Sequence, residues 1–244
     1  MDVKNNSAGR LLDIFIEAKN SLPNLTVREA WADIFDVPAD DIATILKLLA
    51  DVITLNNETK RNLERLDNID NKLYIKPFLK IESILSRVNL EGSWVTWQQQ
   101  IDETTIYGLQ ICSDKLSRDA NYTQIGEDEF ESIKASLATL TDDILSSQLD
   151  TELKSLLIRN LERLRQALLA YKIKGIEGIE QEIELNIGSI VLNQEKIKQA
   201  KQTDKSNTII KSYFVCLDLF NKTVSTAKSV KPFALSAMKA LGID

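Results

Sequence analysis

Glu177, Glu180 and Glu184 fall at i, i+3 and i+7, so a helix would stack their carboxylates along one face. Such a row could hold a hard cation through oxygen ligands. Di-iron helical bundles use inward carboxylates of this kind but complete the site with Glu-x-x-His, and this chain contains no histidine. A solvated acidic face is the simpler reading, and no metal or other cofactor is expected. Just upstream, Gly175-Ile176-Glu177-Gly178 has the outline of a phosphate loop, but no Lys-Ser/Thr follows it and no strand precedes it. It reads instead as a tight corner between two helices. Gly175 takes the left-handed position at the end of the first, and Gly188 allows close approach in the second.

The absence of histidine removes Ser-His-Asp and Cys-His nucleophiles, His-ligated zinc and haem, and the commonest general base near neutral pH. Cys112 and Cys216 stand 104 residues apart without a CxxC, among apolar neighbours. Buried thiols in a reducing compartment account for them better than a zinc site or a disulfide. No reaction and no small-molecule substrate is therefore expected. A carboxylate-only metal enzyme is the remaining catalytic alternative.

Two features could face a partner. Trp94 and Trp97 lie three apart beside Gln98-Gln99-Gln100; they suit either a core or an interface. The last fifty-one residues are basic within a chain of net charge −6: residues 194–244 hold nine lysines, four acids and no arginine. Lys196, Lys198, Lys201 and Lys205 open that run. Without arginine, bidentate phosphate or base recognition is disfavoured. The basic tail is expected to pack on the acidic body, with an anionic membrane surface or nucleic acid as the alternative partner.

Eight glycines and four prolines in 244 residues suit long helices and leave too few breaks for a sandwich or barrel. Helices are expected over about 8–20, 27–36, 41–74, 77–88, 94–118, 127–147, 151–173 and 176–195, with a further segment over 196–244 interrupted at Pro232. Thr26-Val27-Arg28-Glu29 is a capping box. A heptad frame runs Ile42, Ile45, Leu49, Val52, Asn56, Thr59, Leu63, Leu66, Asp70, Leu73, so 41–74 is either a rod of about 50 Å or kinks near Asn56-Asn57. Pro77 is placed as a first helical residue. Leu153, Leu157, Leu161, Leu164, Leu168 and Tyr171 form one stripe. Ile210, Tyr213, Leu217, Phe220 and Val224 form another, too broad with Ile209, Phe214 and Cys216 to leave in water. The expected fold is all-α: an elongated antiparallel bundle of eight to nine helices, built from hairpins. It is read as a single unit over 1–244 with a possible hinge near 119–126, between halves 1–118 and 127–244.

The first twenty residues lack the pattern of a signal peptide, and the most apolar stretch, 213–220, carries Asp218 and is too short to span a bilayer. A cytoplasmic protein is expected. Trp31-Ala32-Asp33-Ile34-Phe35 with the long helix behind it, and Leu161-x-x-Leu164-x-x-x-Leu168 leading into Tyr171-x-Ile173-x-Gly175-x-x-Gly178 with Gly188 beyond, resemble a widespread group of uncharacterised bacterial all-helical proteins over about residues 11–193. The resemblance implies a bacterial cytosolic protein and supplies no catalytic residue. The expected function is a non-catalytic helical interaction protein that binds another macromolecule, or a second copy of itself, through long helices. The alternative is a membrane-surface or nucleic-acid-associating protein using the lysines of 194–244.

Overall fold

A computed structural model describes residues 6–66, 70–117, 125–200 and 204–228. Among the described residues there are eleven helices and no strand. They are α1 (Ser7–Asn20), α2 (Val27–Phe35), α3 (Ile42–Glu64), α4 (Asn71–Leu85), α5 (Trp94–Gln98), α6 (Glu103–Ser117), α7 (Glu127–Ser146), α8 (Thr151–Leu169), α9 (Tyr171–Leu192), α10 (Gln194–Ala200) and α11 (Asp204–Lys228). The all-α helical bundle read from the sequence is the fold. The count exceeds the expected eight to nine because 94–118 divides into α5 and α6, and the C-terminal segment into α10 and α11.

The chain separates into two compact units, one of residues 2–121 with 169–175, the other of 122–168 with 176–244. The division is not a single cut: seven residues from the second half of the sequence belong to the first unit. Residues 119–124 of the expected hinge, and Pro232, lie outside the described residues.

In the N-terminal unit, α1 packs on α2, α3 and α6, and α4 packs on α3 and α6. Short polar side chains start these helices by accepting first-turn amides. Asn6 Oδ1 accepts from Gly9 N at 2.7 Å. The capping box is present: Glu29 N donates to Thr26 Oγ1 at 3.2 Å, and Thr26 N donates back to Glu29 Oε2 at 2.8 Å. The Thr26 amide, joined by the Thr26 hydroxyl donating to the same oxygen at 2.8 Å, holds the Glu29 carboxyl below its ordinary range. Asp41 and Asp102 do the same for α3 and α6, accepting from Thr44 N at 3.1 Å and Thr105 N at 2.7 Å. The Thr105 hydroxyl adds a bond at 2.8 Å, and together these donors lower the Asp102 carboxyl. This cap is why 94–118 is two helices: Asp102 starts a new one.

The expected 41–74 rod is also broken, and not at Asn56-Asn57. Asn56 is buried within an unbroken stretch of α3, and Arg65 caps that helix. At 23 residues α3 is about 35 Å long. Asp70 then starts α4 by accepting from Lys72 N at 3.1 Å, so Pro77 sits inside a helix rather than at its first position. Proline leaves the fourth preceding carbonyl without its amide and disturbs the turn around it. Neighbouring helices also bond α4 near this turn: Cys112 Sγ donates to Tyr74 O at 3.6 Å and Asn56 Nδ2 to Phe78 O at 3.2 Å. The proline ring also dictates a glycine on α6. A Cβ added at Gly108 would lie 2.9 Å from Pro77 Cγ and 3.1 Å from its Cβ. Gly108→Ala would gain about 1 kcal/mol of helix propensity, yet overpacking against a rigid ring costs about 1–3 kcal/mol. A net loss of stability is expected in a urea titration; a gain would show that α4 and α6 separate freely.

In the C-terminal unit, α11 packs on α7. The expected stripes are buried: Leu153, Leu157, Leu161, Leu164 and Leu168 on α8, and Ile210, Tyr213, Leu217, Phe220 and Val224 on α11. Asp150 Oδ1 caps α8, accepting from Glu152 N and Leu153 N, both at 3.0 Å. A polar knot ties three helices inside this core. Tyr213 donates to Asn186 Oδ1 at 2.7 Å and accepts from Asn160 Nδ2 at 3.2 Å, while Asn186 Nδ2 donates to Asn160 O at 3.3 Å. Burial raises the Tyr213 phenol. Tyr213→Phe would strand one donor and one acceptor in the interior, a loss of about 1–3 kcal/mol. Denaturant unfolding monitored by circular dichroism checks it, and an unchanged midpoint would mean that water already reaches the knot.

Gly175 interrupts α9 at φ 64°, ψ −160°. The positive φ expected there is present, but the residue occupies the mirror-image extended region instead of the left-handed helical one. Only glycine adopts that region at low cost.

Candidate functional site

The residues flagged by the sequence do not converge. Glu177 and Glu184 are exposed and Glu180 half-buried. Among the described residues, no group of three or more His, Cys, Asp or Glu comes together in a way that could hold a metal. Cys112 and Cys216 are buried free thiols, pushed up by desolvation to about 12 and about 11. Both are protonated at neutral pH and poor nucleophiles there.

Trp94 and Trp97 are not a partner surface. Both are buried, with Trp31, in one aromatic cluster. Trp94 stacks on Trp97 with centroids 4.7 Å apart, and both meet Trp31 edge to face, at 5.9 and 5.2 Å. Phe35 stacks on Trp31 at 5.1 Å. The physical cause is a single antiparallel bridge, Thr26 to Ser93, that ties together the starts of α2 and α5. Val27 N donates to Gly92 O at 2.9 Å and Trp94 N to Leu25 O at 3.0 Å, so the two short helices leave side by side with their indoles facing. The neighbouring Gln98 is structural too. Its amide donates to the carbonyls of Ala18, Lys19 and Ser21 at 3.3, 2.8 and 2.9 Å, covering the open end of α1.

Among the described residues, three lysines of the tail are paired. Lys196 bonds Glu152, which raises its pKa, and Lys198 lies 3.7 Å from Glu195. Lys222 pairs with Asp218 at 2.7 Å. Lys201 lies outside the described residues, as does the side chain of Lys205. The apolar stripe of α11 is spent on its own unit, so it offers no face for a bilayer. No helix among the described residues is long and apolar enough to cross a membrane.

Three other surfaces stand out. An open groove of about 480 Å³ between α7 and α11 is lined by Ser136, Thr139, Leu140 and Asp143 on one side and Thr208, Lys211, Ser212 and Val215 on the other. On α3, Ile42, Leu46 and Ile53 are 43%, 51% and 39% exposed, and on α6 Tyr107 and Ile111 are exposed one turn apart. The third is a cleft in the N-terminal unit, filled by residues 169–175. Arg10 Nε, buried on α1, donates to Ile173 O at 2.9 Å. Lys172 Nζ binds the Glu17 carboxylate of α1 and donates to Ile34 O at the end of α2, at 2.9 Å. Lys174 Nζ lies 3.0 Å from Asp51 Oδ1 of α3. Ala170 and Ile173 join the buried core.

Sequence reasoning missed this cleft. Its pairs join residues more than a hundred positions apart. The alternation Lys-Ile-Lys directly before Gly175 was the one local signal. No protein-family model, no curated protein and no solved structure matches the chain.

Proposed function

We propose that the chain is a cytoplasmic, non-catalytic helical interaction protein that binds another macromolecule through the outer faces of its helices. The observation that carries this reading is the apolar stripe of α3. Ile42, Leu46 and Ile53 are spaced i, i+4 and i+11, with exposed Ala50 between them, and so share one face. Isolated apolar side chains are ordinary on a protein surface, whereas a row along one helix marks a contact. The stripe runs beside the buried seam of Ile45, Leu49 and Val52, so a partner helix laid along it would extend packing that α3 already makes. Buried free thiols agree with a reducing compartment.

The test is photo-crosslinking in the cells that make the protein, from a crosslinking side chain at Leu46. A discrete adduct is expected, and it should vanish when Ile42 and Ile53 are changed to Asp while the helix content stays that of the wild type. No adduct from folded protein, or one indifferent to those substitutions, rejects the reading.

A further inference from the structure

Residues 169–175 meet the N-terminal unit as a bound peptide would. They form one helical turn, with Ile173 N and Lys174 N donating to Ala170 O at 2.9 and 2.7 Å, and Gly175 turns the chain out of it. Their side chains and backbone engage three helices through two acid–lysine pairs, two hydrogen bonds to main-chain carbonyls and a buried isoleucine. Arg10 and Glu17 lie on one face of α1, at i and i+7, and Asp51 faces the turn from α3. The cleft thus has a carboxylate at each end, and between them a buried apolar seat for Ile173 and the Arg10 guanidinium that takes its main-chain carbonyl, which together complement a Lys-apolar-Lys turn. Its capacity exceeds what the turn uses. Asp51 Oδ2 is buried and accepts no hydrogen bond, because the single ammonium of Lys174 serves only Oδ1. A guanidinium would meet both oxygens with its planar fork. A second copy of this chain would bring the same lysine and leave Oδ2 unmet, so the chemistry favours a different protein.

We propose that the cleft between α1, α2 and α3 is a recognition site for a basic amphipathic helical segment of a partner protein, carrying arginine where this chain has Lys174, and that residues 169–175 fill it in cis as a built-in competitor. This rests on the interaction-protein reading and names the partner's chemistry. A ligand competing with an internal segment binds more weakly by the fraction of time the cleft is open. Weakening the internal segment should therefore strengthen binding without any change to the cleft.

The test uses the full chain carrying K172E and K174E, and a labelled synthetic peptide copying residues 165–178 with arginine in place of Lys174. Anisotropy should show the peptide binding the double variant at least about tenfold more tightly than the wild type. Affinity should fall with added salt, fall severalfold when the peptide carries the original lysine, and disappear when Asp51→Asn is added. K174E alone, which leaves the half-buried Lys172 contacts in place, should give an intermediate gain and serves if the double variant is unstable. No binding to a variant with wild-type tryptophan emission and helix content overturns the proposal. Equal affinity for variant and wild type does so too, by placing the peptide elsewhere. Concentration-dependent self-association that the peptide competes away would make a second copy the occupant and overturn it as well. None of these failures touches the Leu46 adduct on α3, which tests the broader reading separately.

Discussion

Trp31→Ala is expected to cost about 3–5 kcal/mol, the range for removing a large aromatic side chain from a packed core. Trp31 is fully buried and is the centre of its cluster, touching Phe35, Trp94 and Trp97. Its loss leaves a cavity lined by three rings whose mutual positions it sets. It also removes the contact by which α2 and α5 recognise each other beyond the single Thr26–Ser93 bridge. A loss of this size is a large fraction of the roughly 5–15 kcal/mol that holds an ordinary domain together. Guanidinium titration followed by the emission of the two remaining tryptophans should show a much lower midpoint. Trp31→Phe, which keeps part of the ring contact, should lose less. A loss below about 1 kcal/mol for the alanine variant would show that the cavity collapses easily, and that the cluster is not the anchor of its unit.

Removing residues 204–244 is expected to have the larger effect. Ile210, Tyr213, Leu217, Phe220 and Val224 are each at most 1% exposed. Burying one such side chain contributes about 1.5–3 kcal/mol, so the five together contribute about 7.5–15 kcal/mol, comparable to the net stability of an ordinary domain. The truncation also strips Tyr213 from Asn160 and Asn186, and Thr223 from Glu129 at the start of α7. The shortened chain should bind a hydrophobic dye and aggregate on sizing. A soluble, monomeric, fully helical product would show instead that α11 is a detachable arm.

Local physics was legible in the sequence and long-range physics was not. The Thr26–Glu29 capping box, the α8 leucine stripe, the α11 stripe and the positive φ of Gly175 depend on residues within one or two turns of each other. Types and spacing therefore carried them. Pro77 was misplaced because proline costs nothing at a first helical position and much inside a helix. The contacts that hold α4 around it come from Asn56, Gly108 and Cys112, 21, 31 and 35 residues away, beyond the reach of local spacing. The stretch 94–118 kept helical spacing throughout, so nothing local revealed that Asp102 would restart the helix. Trp94 and Trp97 admitted two readings because a partner surface and a core want the same residues; the bridge from Thr26, 67 positions before Ser93, decided between them. The cleft around 169–175 was missed for the same reason, its one local trace being Lys-Ile-Lys before Gly175. Its acids sit in α1 and α3 and its lysines beyond α8.

The two cysteines give the molecule a pair of clocks. Cys112 lies in the N-terminal unit and Cys216 in the C-terminal one, both free, buried and protonated. A thiol reagent can reach either only when the surrounding structure opens, so the rate of labelling reports the free energy of that opening, as amide exchange does. Mass spectrometry of the two cysteine peptides would then time each unit separately in one intact chain. A substitution in one core should speed its own thiol and leave the other on its original schedule wherever the units open independently.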